Sequence, residues 1–187
     1  MFYRHISSDI KLSLTIPQYA TDIFYLIKKN QTWLKQRFNW SDTITSVTDV
    51  ENFIKLELLK FQQSIGLHTT IFYKNKIAGV AGFTDIYSGI GQLEYWLSEE
   101  HADKGIMAAS LKELIHVGFS NYTIDTIEMR CTENSCQQLP VELNFEQKCK
   151  ALSMTGMDAL KSHTVYYIER KQFFAHVNRQ QHHELCT

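Results

Sequence analysis

The fold is decided by the stretch Glu94-Tyr95-Trp96-Leu97-Ser98-Glu99-Glu100-His101-Ala102-Asp103-Lys104-Gly105-Ile106-Met107. It predicts a β-strand, a short polar loop and an amphipathic helix that begins at the glycine. Such a loop points unpaired backbone N–H groups and the positive end of the helix dipole into the gap between strand and helix, where phosphate groups bind. Gly105 has no Cβ, so a phosphate can approach the main chain closely there. The stretch therefore predicts an anion site.

The segments on either side predict an α/β fold, an α+β mixed sheet flanked by helices. Alternation of polar and apolar residues predicts a first strand at Ile10–Leu14, and Pro17 opens a helix. Thr48 and Glu51 have the spacing of a capping box, which predicts the start of a second helix. Further strands are predicted around the turn Lys74-Asn75-Lys76 and at residues 92–97, 126–132, 146–154 and 163–169, with a helix at 105–121 and a short one at 137–143.

Composition narrows the class of protein. The 187 residues predict one domain over residues 1–178, followed by a polar tail at 179–187. A net charge of −1 argues against nucleic acid as a partner. The chain has no apolar stretch of the length that spans a membrane and no signal-peptide pattern at its start, so the expected location is the cytoplasm. Its four cysteines are scattered, and neither they nor the histidines have metal-ligand spacing, so we expect no metal.

Three segments resemble the GNAT superfamily of acetyl-CoA-dependent N-acetyltransferases, and within it the branch of ribosomal-protein serine and alanine acetyltransferases. Residues 91–97 are similar to the branch's strand A-E-I-G-Y-W-L, and residues 101–107 to its loop F-Q-G-K-G-I-M. Residues 133–145 resemble its downstream pattern E-N-x-x-S-x-x-x-P-x-x-L-G-F. The resemblance extends over nearly the whole chain. It implies the GNAT acyl-CoA N-acyltransferase fold, with a mixed, largely antiparallel sheet, and acetyl transfer from acetyl-CoA to an amine.

The resemblance also implies where acetyl-CoA binds. In the family, the strand backbone pairs with the pantetheine arm and the loop amides hold the pyrophosphate. Two loop residues depart from the family pattern, because Ala102 replaces a glutamine or arginine and Asp103 replaces a common second glycine. A carboxylate beside a diphosphate repels it. The cofactor-binding residues implied are Trp96, Leu97, Ser98, Asp103, Lys104, Gly105, Ile106, Met107 and Asn134.

The catalytic positions differ from the family as well. The family's glutamate base corresponds to Gln92, which cannot accept a proton. Glu94 points to the same face of the strand two residues later, so we expect it to replace that base or to order a water that does. The alternative is that Glu94 fills the cavity or pairs with a cation. The family serine that faces the CoA sulfur corresponds to either Ser135 or Cys136, and the resemblance does not decide between them.

The acceptor pocket is implied by the resemblance alone. It places Trp33, Phe38, Trp40 and Tyr87 around the acceptor, where aromatic rings suit a peptide N-terminus or a flat amine. Burial in the core is an equal alternative for these rings. The family also implies a homodimer, which no residue pattern demonstrates.

Three functions stay open at the level of sequence. The first is an acetyltransferase that acts on a protein N-terminal amine. The second is a weakened homologue that binds acyl-CoA as a sensor, which the substitutions at Gln92 and Ala102 and the ambiguity between Ser135 and Cys136 leave open. The third is an acetyltransferase for the amine of an antibiotic or metabolite. Fold resemblance alone does not choose among them.

Overall fold

The computed structural model describes residues 2–132, 138–155 and 159–184. Its strands form one sheet in the order β1-β2-β3-β4-β5-β6-β8-β7. The strand bounds are β1 Tyr3–His5, β2 Ile10–Leu14, β3 Leu67–Tyr73, β4 Lys76–Tyr87, β5 Ile90–Leu97, β6 Thr126–Thr132, β7 Glu146–Thr155 and β8 Ala159–Glu169. Among the described pairs only β5 and β6 run parallel, which gives the mixed, largely antiparallel sheet that the sequence predicts.

Helices cover both faces of the sheet. Trp96 packs with apolar residues of the first three helices, whereas Leu93 and Leu97 pack with those of the fourth, so two cores lie on opposite faces of β5. No helix in the described ranges is long and apolar enough to cross a bilayer. The helix bounds are α1 Ala20–Lys29, α2 Gln31–Lys35, α3 Val47–Gln62, α4 Ile106–Asn121, α5 Gln138–Glu142 and α6 Arg170–Glu184.

The start of α3 corrects one prediction from sequence. The capping box is formed by Ser46 and Asp49, not by Thr48 and Glu51. The Ser46 hydroxyl accepts the Asp49 N–H at 3.2 Å, and the Asp49 carboxylate accepts the Ser46 N–H at 2.8 Å. Thr45 donates two further hydrogen bonds of 2.9 Å to that carboxylate and, with Ser46, lowers the pKa of Asp49 to about 2. The two hydrogen bonds from Thr45 favour the capping box at Ser46 and Asp49 over the later residues with the same spacing.

The last helix, α6, was not predicted from the sequence. Its residues are mostly polar, and its position in the fold depends on a few contacts with α4. Phe173 and Phe174 pack against Phe119, with ring centroids 5.6 and 6.3 Å away. The Arg170 guanidinium donates to the backbone carbonyl of Phe119 in the last turn of α4 and to that of Ile124 in the segment after it. Contacts between distant segments leave no periodic pattern in the sequence, which is why this helix was not predicted.

Candidate active site

The site begins where two neighbouring strands separate. β5 pairs with β6 only as far as Leu93 and Met129. Beyond that level β5 continues to Leu97 along β4, and β6 continues to Thr132 along β8. A cleft of about 720 Å³ opens between them. It runs from the separated strands to the first turn of α4, so the sheet itself creates the cavity.

One wall of the cleft is backbone. Ser98 donates its N–H to the Ala78 carbonyl on β4 at 2.8 Å. Main-chain groups alternate sides along a strand, so those of Leu97 point to the side that β6 has left. Leu97 therefore offers a donor and an acceptor to an extended ligand in the cleft.

The far end of the cleft is the N-terminus of α4. Gly105 caps the helix with φ +69° and ψ −1°, and the first intrahelical bond runs from the Ala109 N–H to the Gly105 carbonyl at 3.0 Å. The amides of Ile106, Met107 and Ala108 precede that bond, so they have no carbonyl acceptor within the helix. A Cβ built on Gly105 would meet no atom within 4 Å, so this side of the loop is open. The arrangement suits an anion.

Glu94 stands on the floor of the cleft where β6 diverges. It lies opposite Gly82 of β4, and its side chain is exposed to the open cleft. Although the side chain opens onto the cleft, the protein atoms around it displace much of its hydrating water. This loss of hydration, reinforced by the negative charges of Glu57 and Asp85, raises the pKa of Glu94. Gln92 also lines the cleft, but its Nε2 lies 3.5 Å from the Glu128 carbonyl on β6. Of these two side chains, only the Glu94 carboxylate can accept a proton.

Aromatic side chains form the wall opposite α4. Phe38 and Trp40 stack with centroids 5.7 Å apart, and Trp40 lies 6.1 Å from Trp96. The Arg37 guanidinium lies 3.4 Å from the centroid of Trp33. All five side chains line the cleft. The wall can therefore contact a cationic or flat acceptor through ring faces.

The sequence model of the Acetyltransferase (GNAT) domain matches residues 13–135, more than half of the 187-residue chain. The chain belongs to the GNAT acetyltransferase family. It is 26% identical over 140 residues to the ribosomal-protein-serine acetyltransferase of Escherichia coli (strain K12), which covers 74% of this chain and 78% of that relative. The family assignment makes the protein an N-acetyltransferase of the GNAT type.

Solved structures share the fold of this GNAT acetyltransferase. RimL, a ribosomal L7/L12 alpha-N-protein acetyltransferase in complex with coenzyme A, matches with a TM-score of 0.80 at 21% identity, over 90% of this chain and 98% of that one. The microcin C7 self-immunity acetyltransferase MccE, in complex with acetyl-CoA and AMP, also matches with a TM-score of 0.80 at 21% identity, over 88% and 94%.

The fold brings most of the predicted site residues of this GNAT acetyltransferase into one cleft. Tyr87 is an exception, because it is 81% exposed at the turn between β4 and β5 and does not line the cleft. Ser98 is fully buried and also lies outside the lining. Asn134, Ser135 and Cys136 lie outside the described residues. The predicted residues that line the cleft are Trp33, Phe38, Trp40, Glu94, Trp96, Leu97, Asp103, Lys104, Gly105, Ile106 and Met107.

Four basic residues of the cleft were missed from the sequence. Arg37, His101, Arg130 and His163 all line it. Arg37 lies within the aromatic segment and His101 within the loop that opens α4, so their neighbourhoods carried a signal. Arg130 and His163 come from β6 and β8, and only the paired strands bring them to the cleft.

Proposed function

We propose that this protein transfers the acetyl group of acetyl-CoA to an amine, and that the amine is a protein N-terminus. The observation that carries the proposal is the shared cleft. In it the open edge of β5, the free amides of α4 and the carboxylate of Glu94 face one space.

The cleft fits acetyl-CoA on three counts. The first turn of α4 contains no acidic residue, so its amides and dipole are available to a diphosphate. The Gly105 position leaves the approach to these amides open. The edge of β5 at Leu97 can pair with the amides of an extended arm. Acetyl-CoA, when bound, supplies a thioester whose carbon is the electrophile.

Two groups of the chain have separate roles in the reaction: one removes a proton and the other positions the cofactor. Glu94 takes a proton from the acceptor ammonium, which frees the nitrogen lone pair for attack. The N–C bond forms as the C–S bond breaks, and the second proton of the attacking nitrogen passes to the departing CoA thiolate. The amide edge at Leu97 fixes the direction of approach, which is the contribution of positioning.

The acceptor proposal rests on the aromatic wall and on relatives. Ring faces and a carboxylate both attract an ammonium, and Trp40 and Glu94 line the same cleft. The names of the relatives describe acetylation of ribosomal proteins. A small-molecule amine is the second candidate, favoured by the stacked pair Phe38 and Trp40 and by the AMP complex of MccE, because a flat ring fits such a surface.

An acceptor panel tests the proposal. Thiol release from acetyl-CoA is measured with peptides that begin with serine or alanine, with the same peptides blocked at the N-terminus, and with small aromatic amines. We expect release only with the free peptides. Release only with the small amines would transfer the assignment to the second candidate. Binding of acetyl-CoA without release for any amine would indicate a sensor.

Replacing Gly105 by alanine is expected to weaken CoA binding about tenfold. An L-residue at φ +69° is strained by roughly 1–2 kcal/mol, so the loop relaxes and its amides lose their common direction. Calorimetric titration with CoA measures the change. Gly89→Ala is the matched control, because Gly89 also has a positive φ, +77°, but lies at a turn outside the cleft lining. Equal affinity in the two variants would contradict an anion site at α4.

Replacing Asp103 by asparagine is expected to tighten CoA binding by about two- to fivefold at low salt. Asp103 lines the cleft at the loop before α4 with φ +57°, a conformation that asparagine also adopts. The substitution therefore removes the charge and keeps the loop. Because salt screens exposed charges, the gain should shrink as ionic strength rises. Glu99→Gln, which changes an exposed carboxylate outside the lining, is the control.

A further inference from the structure

A second carboxylate lies buried beneath the site. Glu57 of α3 is only 5% exposed, although it belongs to a charged residue type. Its Oε1 pairs with Lys60 at 3.1 Å. Its Oε2 is buried without a hydrogen-bond partner among the described residues. Buried carboxylate oxygens are costly without a donor, so this atom needs a proton or a water.

The contacts of α3 place Glu57 over β3 and β4, beside the strand that carries Glu94. One turn before Glu57, Phe53 meets the ring of His68 edge to face at 5.1 Å. One turn after it, Lys60 donates to the Thr84 carbonyl at 2.8 Å. Residues four before and three after lie on the same helix face, so Glu57 covers the sheet between these two contacts.

One position of the sheet under Glu57, Gly82, carries no side chain. His68, Gly82 and Glu94 form one row across β3, β4 and β5, with their side-chain positions on the same face. Gly82 is the middle of that row. A Cβ there would lie 2.1 Å from the Leu67 carbonyl oxygen, because the β3 backbone fills that space, so only glycine fits. No side chain of β4 at this level therefore separates Glu57 on α3 from Glu94 on β5.

The surrounding charges are consistent with two interacting carboxylates. Burial raises the pKa of Glu57, against the hydrogen bond from Lys60. Partial burial acts to lower the pKa of Lys60, but its bonds to Glu57 and Asp85 outweigh this and raise it. The charged and titratable groups that face the two carboxylates from packed elements are Lys60 on α3, His68 on β3, Asp85 on β4 and Arg130 on β6.

We propose that Glu57 and Glu94 form a coupled carboxylate pair at the level of Gly82, so that Glu57 receives the proton that Glu94 removes from the acceptor. The proposal rests on the proposed function for the role of Glu94 as base, but the pair itself does not depend on the identity of the acceptor. Glu57 touches no substrate and is a positioning residue.

The proton balance of the pair is simple. The acceptor R–NH₃⁺ gives a proton to the Glu94 carboxylate, directly or through one water, and becomes R–NH₂. That proton then moves to Glu57 Oε2, which leaves Glu94 ionised for the next step. Glu57 releases the proton to solvent past Lys60 and Asp85, which are partly and largely exposed. The pair therefore restores the base within each turnover.

Titration of the carboxyl carbons tests the pair without any acetyl transfer. Protein labelled with ¹³C at the glutamate carboxyl carbons is followed by NMR against pH, and Glu94→Gln identifies the Glu94 signal. In Glu57→Gln we expect the Glu94 midpoint to fall by about 1 pH unit, because a like charge has been removed. Glu51→Gln, the same change six residues earlier on α3, should leave it unchanged. An identical midpoint in Glu57→Gln and in the wild type would overturn the proposal.

A pH–rate profile of kcat distinguishes this role from a merely structural one. The acid limb should move to lower pH in Glu57→Gln, with a lower plateau, and should return towards the wild-type position in Glu57→Asp, which keeps the charge. A structural role predicts lower stability with an unmoved limb, and that result would also overturn the pair. If the NMR coupling is present but no amine is acetylated, the proposed function fails and the pair stands.

Discussion

Glu94→Gln is expected to lower kcat by about 10²- to 10³-fold, the usual contribution of a positioned general base, while CoA affinity stays unchanged. The amide keeps the shape of the side chain but cannot accept a proton. The CoA contacts proposed above lie on the β5 backbone and the α4 loop, not on this side chain. Steady-state kinetics with the accepted amine and titration with CoA measure the two effects separately.

The pH dependence gives the same variant a second readout. Because burial and the neighbouring carboxylates raise the pKa of Glu94, the wild-type rate should fall on the acid side at a pH above the ordinary glutamate range. Glu94→Gln should lose that limb. Glu142→Gln is the control, since Glu142 is another exposed carboxylate that lines the cleft. Turnover of Glu94→Gln at the wild-type rate would remove Glu94 from the reaction.

The cofactor end of the site could be predicted because its signal is local. A strand, a polar loop, a glycine and a helix are adjacent in sequence, and the backbone amides that matter need no particular side chain. The structure places Gly105 at the start of α4 with the positive φ that favours glycine. The expectation that the strand backbone pairs with the pantetheine arm came from family resemblance, because no residue pattern marks where two paired strands part.

The acid–base side of the site could be predicted only in part. The alternation of β5 places Glu94 and Gln92 on one face, as expected from sequence. The burial of Glu57 could not be predicted, because a charged residue within an amphipathic helix normally lies on the solvated face. Its carboxylate pairs with Lys60 one turn later, and α3 packs it over the sheet at Gly82, which has no side chain; the second condition comes from tertiary packing.

The aromatic residues show where the family resemblance predicted a cleft residue that lies outside the cleft. Trp33, Phe38 and Trp40 belong to one segment, so local chain geometry keeps them together in the cleft. Tyr87 was placed there by the resemblance alone, but β4 carries it away from the site. The cleft begins after Leu93, whereas Tyr87 lies at the other end of β5 beside Ile90. Position along the strand decided the outcome, and composition does not encode it.

His68→Gln is expected to remove an acid-dependent loss of stability of about 3 kcal/mol. His68 is 8% exposed, with Nδ1 3.1 Å from the Thr15 hydroxyl, and burial, aided by the charge of Lys60, lowers its pKa to about 4. In the unfolded chain this imidazole takes up a proton near its ordinary value of 6.5, whereas the folded protein keeps it neutral. The unfolded state therefore binds more protons between these values, and the stability that His68 contributes above pH 6.5 is lost as pH falls towards 4.

Urea unfolding of the wild type and His68→Gln, above pH 6.5 and near pH 4, measures this contribution as a difference of differences. The raised pKa values of Glu57 and Glu94 act in the opposite direction, since they favour the folded state as pH falls, but they are present in both proteins and largely cancel. His176→Gln, an exposed histidine on α6, should retain the full acid sensitivity of the wild type. If acidification destabilises His68→Gln as much as His176→Gln, His68 is protonated in the folded protein. The sheet around His68 beneath α3 is then more hydrated than its burial indicates.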